Sequence, residues 1–207
     1  MGIILATTFA TLDGVMQAPG GPDEDRSDGF THGGWSAGYW SDDSGRVVLE
    51  QYQRGSAMLL GRRTYEIFAG FWPNQPASDP MAAKLNGMRK YVVSDSLKVA
   101  GWRDTTIVRG KDLASQIAKL RAEPDGAETH VVGSSVLLQT LLREDLVDHY
   151  VIWTFPVVLG SGRKRFGNGT VPMALRLEKS RAFESGVVVS EYARAGEVRY
   201  GTAGEGG

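Results

Sequence analysis

Two short stretches carry residue types that can hold phosphate: LLGRRT at 59–64 and VVGSSV at 131–136. In each, an apolar run that reads as a buried strand ends in a glycine, Gly61 or Gly133, and a helical stretch follows. A helix start offers unpaired N–H groups and the positive end of the helix dipole, and glycine lets the backbone approach an anion closely. The first junction adds the guanidiniums of Arg62 and Arg63, whose planar forks suit bidentate phosphate contacts. The second adds the hydroxyls of Ser134 and Ser135. Taken singly, each glycine also reads as an ordinary turn, and two arginines at a strand end as a solvated rim. Two such junctions in one sheet fit a ligand with two phosphate-bearing regions, as a dinucleotide has. The arginines also favour an extra 2′-phosphate, hence NADP over NAD.

Other phosphate and nucleophile chemistries find less support. The glycines of VLGSGRKRFGNG, at 160, 162, 167 and 169, do not have the G-x-G-x-x-G spacing, and no G-K-[ST] occurs. The basic trio Arg163-Lys164-Arg165 can meet a substrate phosphate or form a solvated edge. There is no cysteine, which excludes disulfides, thiolate zinc sites and a cysteine nucleophile. His32, His130 and His149 lack the contexts a zinc deaminase needs, and no metal is expected. A net charge of -1 gives no global basic field, so neither nucleic acid nor an anionic membrane is an expected partner. The opening MGIILATTFATLDG lacks a basic n-region and reads as a strand, which points to a cytoplasmic protein.

The elements that must position these groups alternate along the chain. Strands are expected at 3–9, 57–60, 90–94, 105–108, 129–132, 149–155, 173–183 and 187–194, with Ser185-Gly186 turning the last two into a hairpin. Helices are expected at 44–54, from Thr64, at 112–121 and at 136–142. The stretch FWPNQPASDP, with three prolines in ten residues, reads as irregular. Strand–helix alternation implies a mostly parallel sheet in a three-layer α/β/α domain, closed by an antiparallel hairpin. At 207 residues, 42% hydrophobic and 23% charged, the chain fits one soluble domain, spanning 1–195 with a flexible tail at 196–207. Residues 14–45 hold eight glycines and two prolines together with Phe30, Trp35, Tyr39 and Trp40. A loop of this length either closes over a ligand or folds as a structural Ω-loop.

Together these residues resemble the dihydrofolate reductase-like family, in the branch of the reductase (C-terminal) domain of bifunctional riboflavin-biosynthesis deaminase-reductases and its stand-alone relatives. The resemblance spans about residues 2–195. It rests on TLDGVMQAPGG, GGW at 33–35, MLLGRRTYEIFAGFWP, LNGMRKYVVSDSL, VVGSSVLLQTLLREDLVDHYVIWTFPVVLGSGRKRF and SEYAR. It implies NADPH as cofactor, with Gly61, Arg62, Arg63 and Thr64 on its phosphates. Ser94, Asp95 and Ser96 would lie beside the adenosine, and Gly133, Ser134, Ser135, Val136 and Leu137 under the pyrophosphate. Ala6 and the Asp13-Gly14 turn would lie near the nicotinamide.

The activity implied is NADPH-dependent reduction of a small heterocycle, like the uracil-derived riboflavin precursor or a pterin. The alternative is a non-catalytic NADP-binding module. Asp13 and Asp43 are the candidate catalytic residues. Asp42 and Asp43, with Ser44, can equally cap the helix that follows. Trp35, Trp40 and Arg163 are the candidate substrate contacts. Relatives of this branch also imply a homodimer, with the apolar HYVIWTFPVV unsuited to a free sheet edge.

Overall fold

The computed structural model describes residues 1–202. Its order is β1 (Ile3–Thr11), α1 (Asp42–Arg54), β2 (Gly55–Gly61), α2 (Arg62–Phe71), α3 (Pro80–Gly87), β3 (Arg89–Val93), β4 (Thr105–Val108), α4 (Leu113–Arg121), β5 (Glu128–Val132), α5 (Ser135–Arg143), β6 (His149–Phe155), β7 (Leu175–Ala182) and β8 (Val188–Arg194). The strands form one sheet in the order β4-β3-β2-β5-β1-β6-β8-β7. Pairing is parallel from β4 through β6, and the closing β7–β8 hairpin joins antiparallel on β6.

The strands are buried on both faces because alternate side chains enter two separate apolar layers. Leu5, Met58, Leu60, Val151, Trp153 and Phe155 pack toward α1, α2 and α3. Ile4, Ala6, Leu59, Tyr150 and Ile152 pack toward α4 and α5. The expected three-layer α/β/α architecture is the one observed.

Three sequence expectations need correction. The second helix starts at Arg62, two residues before Thr64, because Gly61 itself is its N-cap. A helix was not expected at 80–87. The carboxylate of Asp79 accepts hydrogen bonds from the N–H groups of Met81 and Ala82 (2.8 and 3.0 Å), and Pro80 fills the first helical position. The last of the three prolines is therefore a helix start rather than a breaker. Finally, β6 is no sheet edge: β1 lies on one side of it and β8 on the other. Its apolar run reflects an interior strand. Of the expected tail, Gly196 is tied by Ala174 N–H to its carbonyl, and residues 203–207 lie outside the described residues.

The long connection between β1 and α1 is packed rather than loose. Val15, Ala18, Phe30 and Trp35 are buried in the layer beneath it. Gly162 allows the loop after β6 to pass underneath: its φ is +117°, and a Cβ there would lie 2.7 Å from both Phe30 and Val15.

Candidate functional site

A cavity of about 790 Å³ opens at the carboxyl ends of the central strands, the place where open α/β sheets bind ligands. Its mouth is polar and is built from the two glycine junctions. These junctions grip each other, since β2 and β5 are neighbours in the sheet. Gly61 N–H donates to Ser134 Oγ (2.9 Å), and Ser134 N–H donates to Thr64 Oγ1 (3.1 Å). The Ser134 hydroxyl in turn donates to the Val132 carbonyl (2.8 Å). Gly133 and Ser134 both adopt positive φ, +52°, which lets the chain turn sharply from β5 into α5.

The helix starts divide into two kinds. α1 and α3 have side-chain caps from Ser41 and Asp79. α2 and α5 begin at Gly61 and Ser134 with no side-chain cap, and their first turns line the cavity. α4 is likewise uncapped, and Leu113 at its start lines the same space. The first turns of α2 and α5 thus keep backbone donors without a side-chain cap, as an anion site requires.

The rest of the lining is largely apolar. Three helical segments each turn an i, i+4 pair toward it: Val48 and Tyr52, Phe68 and Trp72, Met81 and Leu85. Phe9 and Trp40 complete the aromatic wall, their rings edge to face at 5.2 Å. Thr7, on β1, is 3% exposed, and its Oγ1 has no hydrogen-bond partner among the described residues.

The expected phosphate residues Gly61, Arg62, Arg63, Thr64, Gly133, Ser134, Ser135, Val136 and Leu137 all line this one cavity, with Trp40 and Arg163. Other expected residues point elsewhere. Ala6 faces the opposite layer, and β1 presents Thr7 and Phe9 to the cavity instead, as strand alternation dictates. Asp13 accepts from Thr11 Oγ1 (2.5 Å), Gly160 N–H (2.8 Å) and Leu159 N–H (3.3 Å). Led by the Thr11 hydrogen bond, these contacts hold its carboxyl below the usual range. It staples the β1 turn to the β6 loop and is badly placed to donate a proton. Gly14, at φ +85°, serves that same turn and takes Arg165 N–H on its carbonyl.

Asp43 lies outside the cavity, paired with Arg46 (2.9 Å) and with Arg181 of β7 (2.5 Å). The cap of α1 is Ser41, in a reciprocal box with Ser44, rather than the aspartates. Trp35 is a loop anchor: it is 9% exposed, and its indole N–H donates to the Gln17 carbonyl (2.7 Å). Ser94, Asp95 and Ser96 form a turn beside the cleft. Asp95 accepts from Gly110 N–H (2.9 Å), and Ser94 Oγ accepts from Leu97 N–H (3.0 Å).

Arg63 and Arg163, expected to meet different ligands, converge on one carboxylate. Asp25 lies 2.5 Å from Arg63 and 2.9 Å from Arg163. Burial pushes the Asp25 carboxyl up, but hydrogen bonds from Arg63 and Ser27 and the charge of Arg163 outweigh it and bring the pKa to about 2. This group therefore stabilises the fold fully above its ordinary value of 3.8, and the stabilisation is lost progressively as pH falls from there through about 2. Sequence reading missed Asp25, Thr7 and the three i, i+4 pairs. Val48 and Tyr52 fell on an expected helix, whereas Trp72 lay in the stretch read as irregular, Met81 and Leu85 in the unexpected α3, and Asp25 stood out in no motif.

Comparison with known proteins agrees with this architecture. The chain is 24% identical to a putative riboflavin biosynthesis protein from Shewanella sp. PV-4, with a TM-score of 0.69 covering 93% of this chain and 99% of that one. It is 11% identical to a pyrimidine reductase-like protein from Corynebacterium diphtheriae, with a TM-score of 0.58 covering 93% and 92%. At these identities the two structures share the fold. Two uncharacterized Bacillus subtilis proteins also match in sequence. YwjB is 29% identical over 144 residues, 70% of this chain and 76% of its own length. YyaP is 26% identical over 140 residues, 65% of this chain and 72% of its own. The family model described as the RibD C-terminal domain matches residues 3–189, nearly the whole of the sheet and its helices. The chain belongs to the RibD C-terminal domain family.

Proposed function

We propose that the protein is an NADPH-dependent reductase of a small planar heterocycle. One observation carries this reading: two uncapped helix starts on neighbouring strands open into the same cavity, one of them flanked by arginines, and an aromatic compartment lies behind them. Two adjacent anion-binding turns suit a cofactor with phosphates at two places, and the donors present fit that group. The first turn of α5, with Ser135, Val136 and Leu137, would receive the pyrophosphate. Arg62 and the first turn of α2 would receive the 2′-phosphate. Bound NADPH supplies a hydride; the chain supplies orientation and a dry pocket. Phe9, Trp40, Tyr52 and Trp72 offer faces on which a flat ring packs. Among the described residues the acidic groups of the cavity, Glu24 and Asp25, both come from the loop after β1. The compartment wall itself therefore orients the substrate rather than supplying a carboxylic acid.

The test is titration with NADPH followed by turnover against a panel of pyrimidines and pterins. Stoichiometric binding without turnover of any of them would make the protein a binding module. Absence of binding would remove the reading altogether. Arg62 is half exposed, and its nearest carboxylate, Glu66, is a loose 3.5 Å away, so its guanidinium is available. A charge-assisted phosphate contact is worth roughly 1.5–3 kcal/mol. Arg62→Ala should weaken NADPH at least about tenfold and weaken NADH less. Equal loss for the two cofactors would refute the 2′-phosphate assignment.

We also propose a homodimer. Its apolar surface cannot be β6, but the closing hairpin leaves Leu177 and Val188 exposed, and β7 is solvent-facing along nearly its whole length. Sedimentation at micromolar concentration should show a dimer, and a monomer alone would refute it.

A further inference from the structure

Residues 17–28 of the connection from β1 to α1 form a strap against the cavity, lining it through Gln17, Gly20, Glu24 and Asp25. Gln17 holds it from within, its side-chain N–H donating to the carbonyls of Asp25 (3.3 Å) and Ser27 (3.1 Å). The outer fastening is ionic. Asp25 Oδ1 is 2.5 Å from Arg63 Nη1, and Asp25 Oδ2 is 2.9 Å from Arg163 Nη1. The Asp25 side chain is 11% exposed. Ser27 N–H donates to the same carboxylate (3.0 Å), and Asp28 accepts from Arg163 Nη2 (2.8 Å). Arg63 stands at the start of α2, Arg163 in the loop after β6, and Asp25 on the strap. All three line the cavity.

We propose that Arg63 and Arg163 form a single anion site whose resident occupant is Asp25, a tethered counterion, and that a phosphate group on a ligand enters it only by expelling Asp25 and lifting the strap. Two guanidiniums close enough to share one carboxylate repel each other unless an anion lies between them. Asp25 supplies that anion when no ligand does. Its two oxygens occupy the places of two phosphate oxygens, each on its own arginine, which is the bridging geometry that favours an oxyanion. A dianionic phosphate offers more charge and a third acceptor, so it competes well. The competitor, however, is part of the same chain and acts at the effective concentration of a tethered group, on the order of millimolar. Phosphate affinity is thereby held down, and the cost of binding includes release of the Ser27 hydroxyl, which accepts from both Arg63 (2.7 Å) and Arg163 (2.6 Å). The site shares the cleft proposed for the cofactor but does not depend on NADPH being the ligand.

The test is calorimetric titration with inorganic phosphate at neutral pH. Asp25→Asn should bind phosphate at least about tenfold more tightly than wild type, because the competitor is gone and both arginines remain. Asp28→Asn makes the same change of charge beside the same Arg163 and should alter phosphate affinity less than about threefold. Asp25→Asn combined with Arg163→Gln should lose the gain. In the wild-type protein, saturating phosphate should raise hydrogen exchange at the backbone amides of 17–28, a readout that survives should any variant fail to fold. The proposal is overturned if folded Asp25→Asn binds phosphate no more tightly than wild type, if Asp28→Asn gains as much, or if saturating phosphate leaves exchange in the strap unchanged.

Discussion

Gly133→Asp should abolish useful NADPH binding, weakening it by about 100-fold, while costing the fold only about 1 kcal/mol. Gly133 sits at φ +52° between β5 and the uncapped start of α5. Aspartate tolerates this backbone region better than most residues. A Cβ there would meet nothing closer than Thr64 Oγ1 at 3.7 Å, an ordinary contact. Stability should therefore change little. The new carboxylate, however, would stand where the helix dipole and the open N–H groups are expected to receive pyrophosphate. Two negative charges about 6 Å apart at an effective dielectric near 20 repel by nearly 3 kcal/mol, which is about 100-fold in affinity. Gly133→Asn has almost the same shape without the charge and should fall between wild type and the aspartate variant. Thermal melts and fluorescence titration on both variants decide the matter. If the two bind NADPH alike, volume and not charge governs the turn; if both bind as wild type does, the start of α5 holds no phosphate.

Lys90→Met should destabilise the protein by about 2 kcal/mol at neutral pH, although it removes a charge on a residue that is only 1% exposed. The Lys90 ammonium donates to the carbonyls of Asn86 (3.0 Å), Met88 (2.7 Å) and Arg103 (3.1 Å), and it lies 4.3 Å from the centre of the Trp102 ring. The first two carbonyls belong to the end of α3, where a helix leaves acceptors without partners. Methionine fills the volume but takes the buried ammonium donor from the Met88 carbonyl. The Asn86 carbonyl keeps Arg103 Nε–H (2.8 Å), and the Arg103 carbonyl keeps the Thr105 hydroxyl (3.4 Å). The cost therefore falls mainly on Met88 and on the lost contact with Trp102. The pH dependence adds a second readout. Burial lowers the Lys90 pKa from 10.5 to about 8. Between those values the unfolded chain binds more protons at this residue than the folded one. Stability from this group therefore rises with pH across that window. Denaturant midpoints from pH 8 to 10.5 should show this slope in wild type and lose it in Lys90→Met. Equal midpoints for the two proteins at pH 7 would mean that the carbonyls find other partners.

Local pattern carried most of the architecture. The alternating apolar runs located every strand, and Ser185-Gly186 located the hairpin turn between β7 and β8. The Gly61 and Gly133 junctions were legible because a strand, a glycine and a helix start are consecutive in the chain. α3 was obscured because proline breaks a helix interior yet suits its first position, and only the cap from Asp79 distinguishes the two. The pair Val48/Tyr52 was visible as helical period, but period alone does not say whether a face meets a core or a cavity. Trp72 lay in the stretch read as irregular, and Met81/Leu85 in the helix that was not expected.

The sequence by itself thus determined the elements, their order, and the two turns that can hold phosphate, since each of these depends on residues within a few positions of one another. The tertiary structure alone decided which charges meet. Asp25 lies 38 residues from Arg63 and 138 from Arg163, and no spacing rule joins them. They meet because the β1 connection is folded back over the ends of β2 and β6. The same geometry turned Asp13 into a staple, sent Asp43 to β7, and aimed Thr7 rather than Ala6 into the cavity. A side chain's neighbours across a sheet are set by strand order and register, and neither is written in local periodicity.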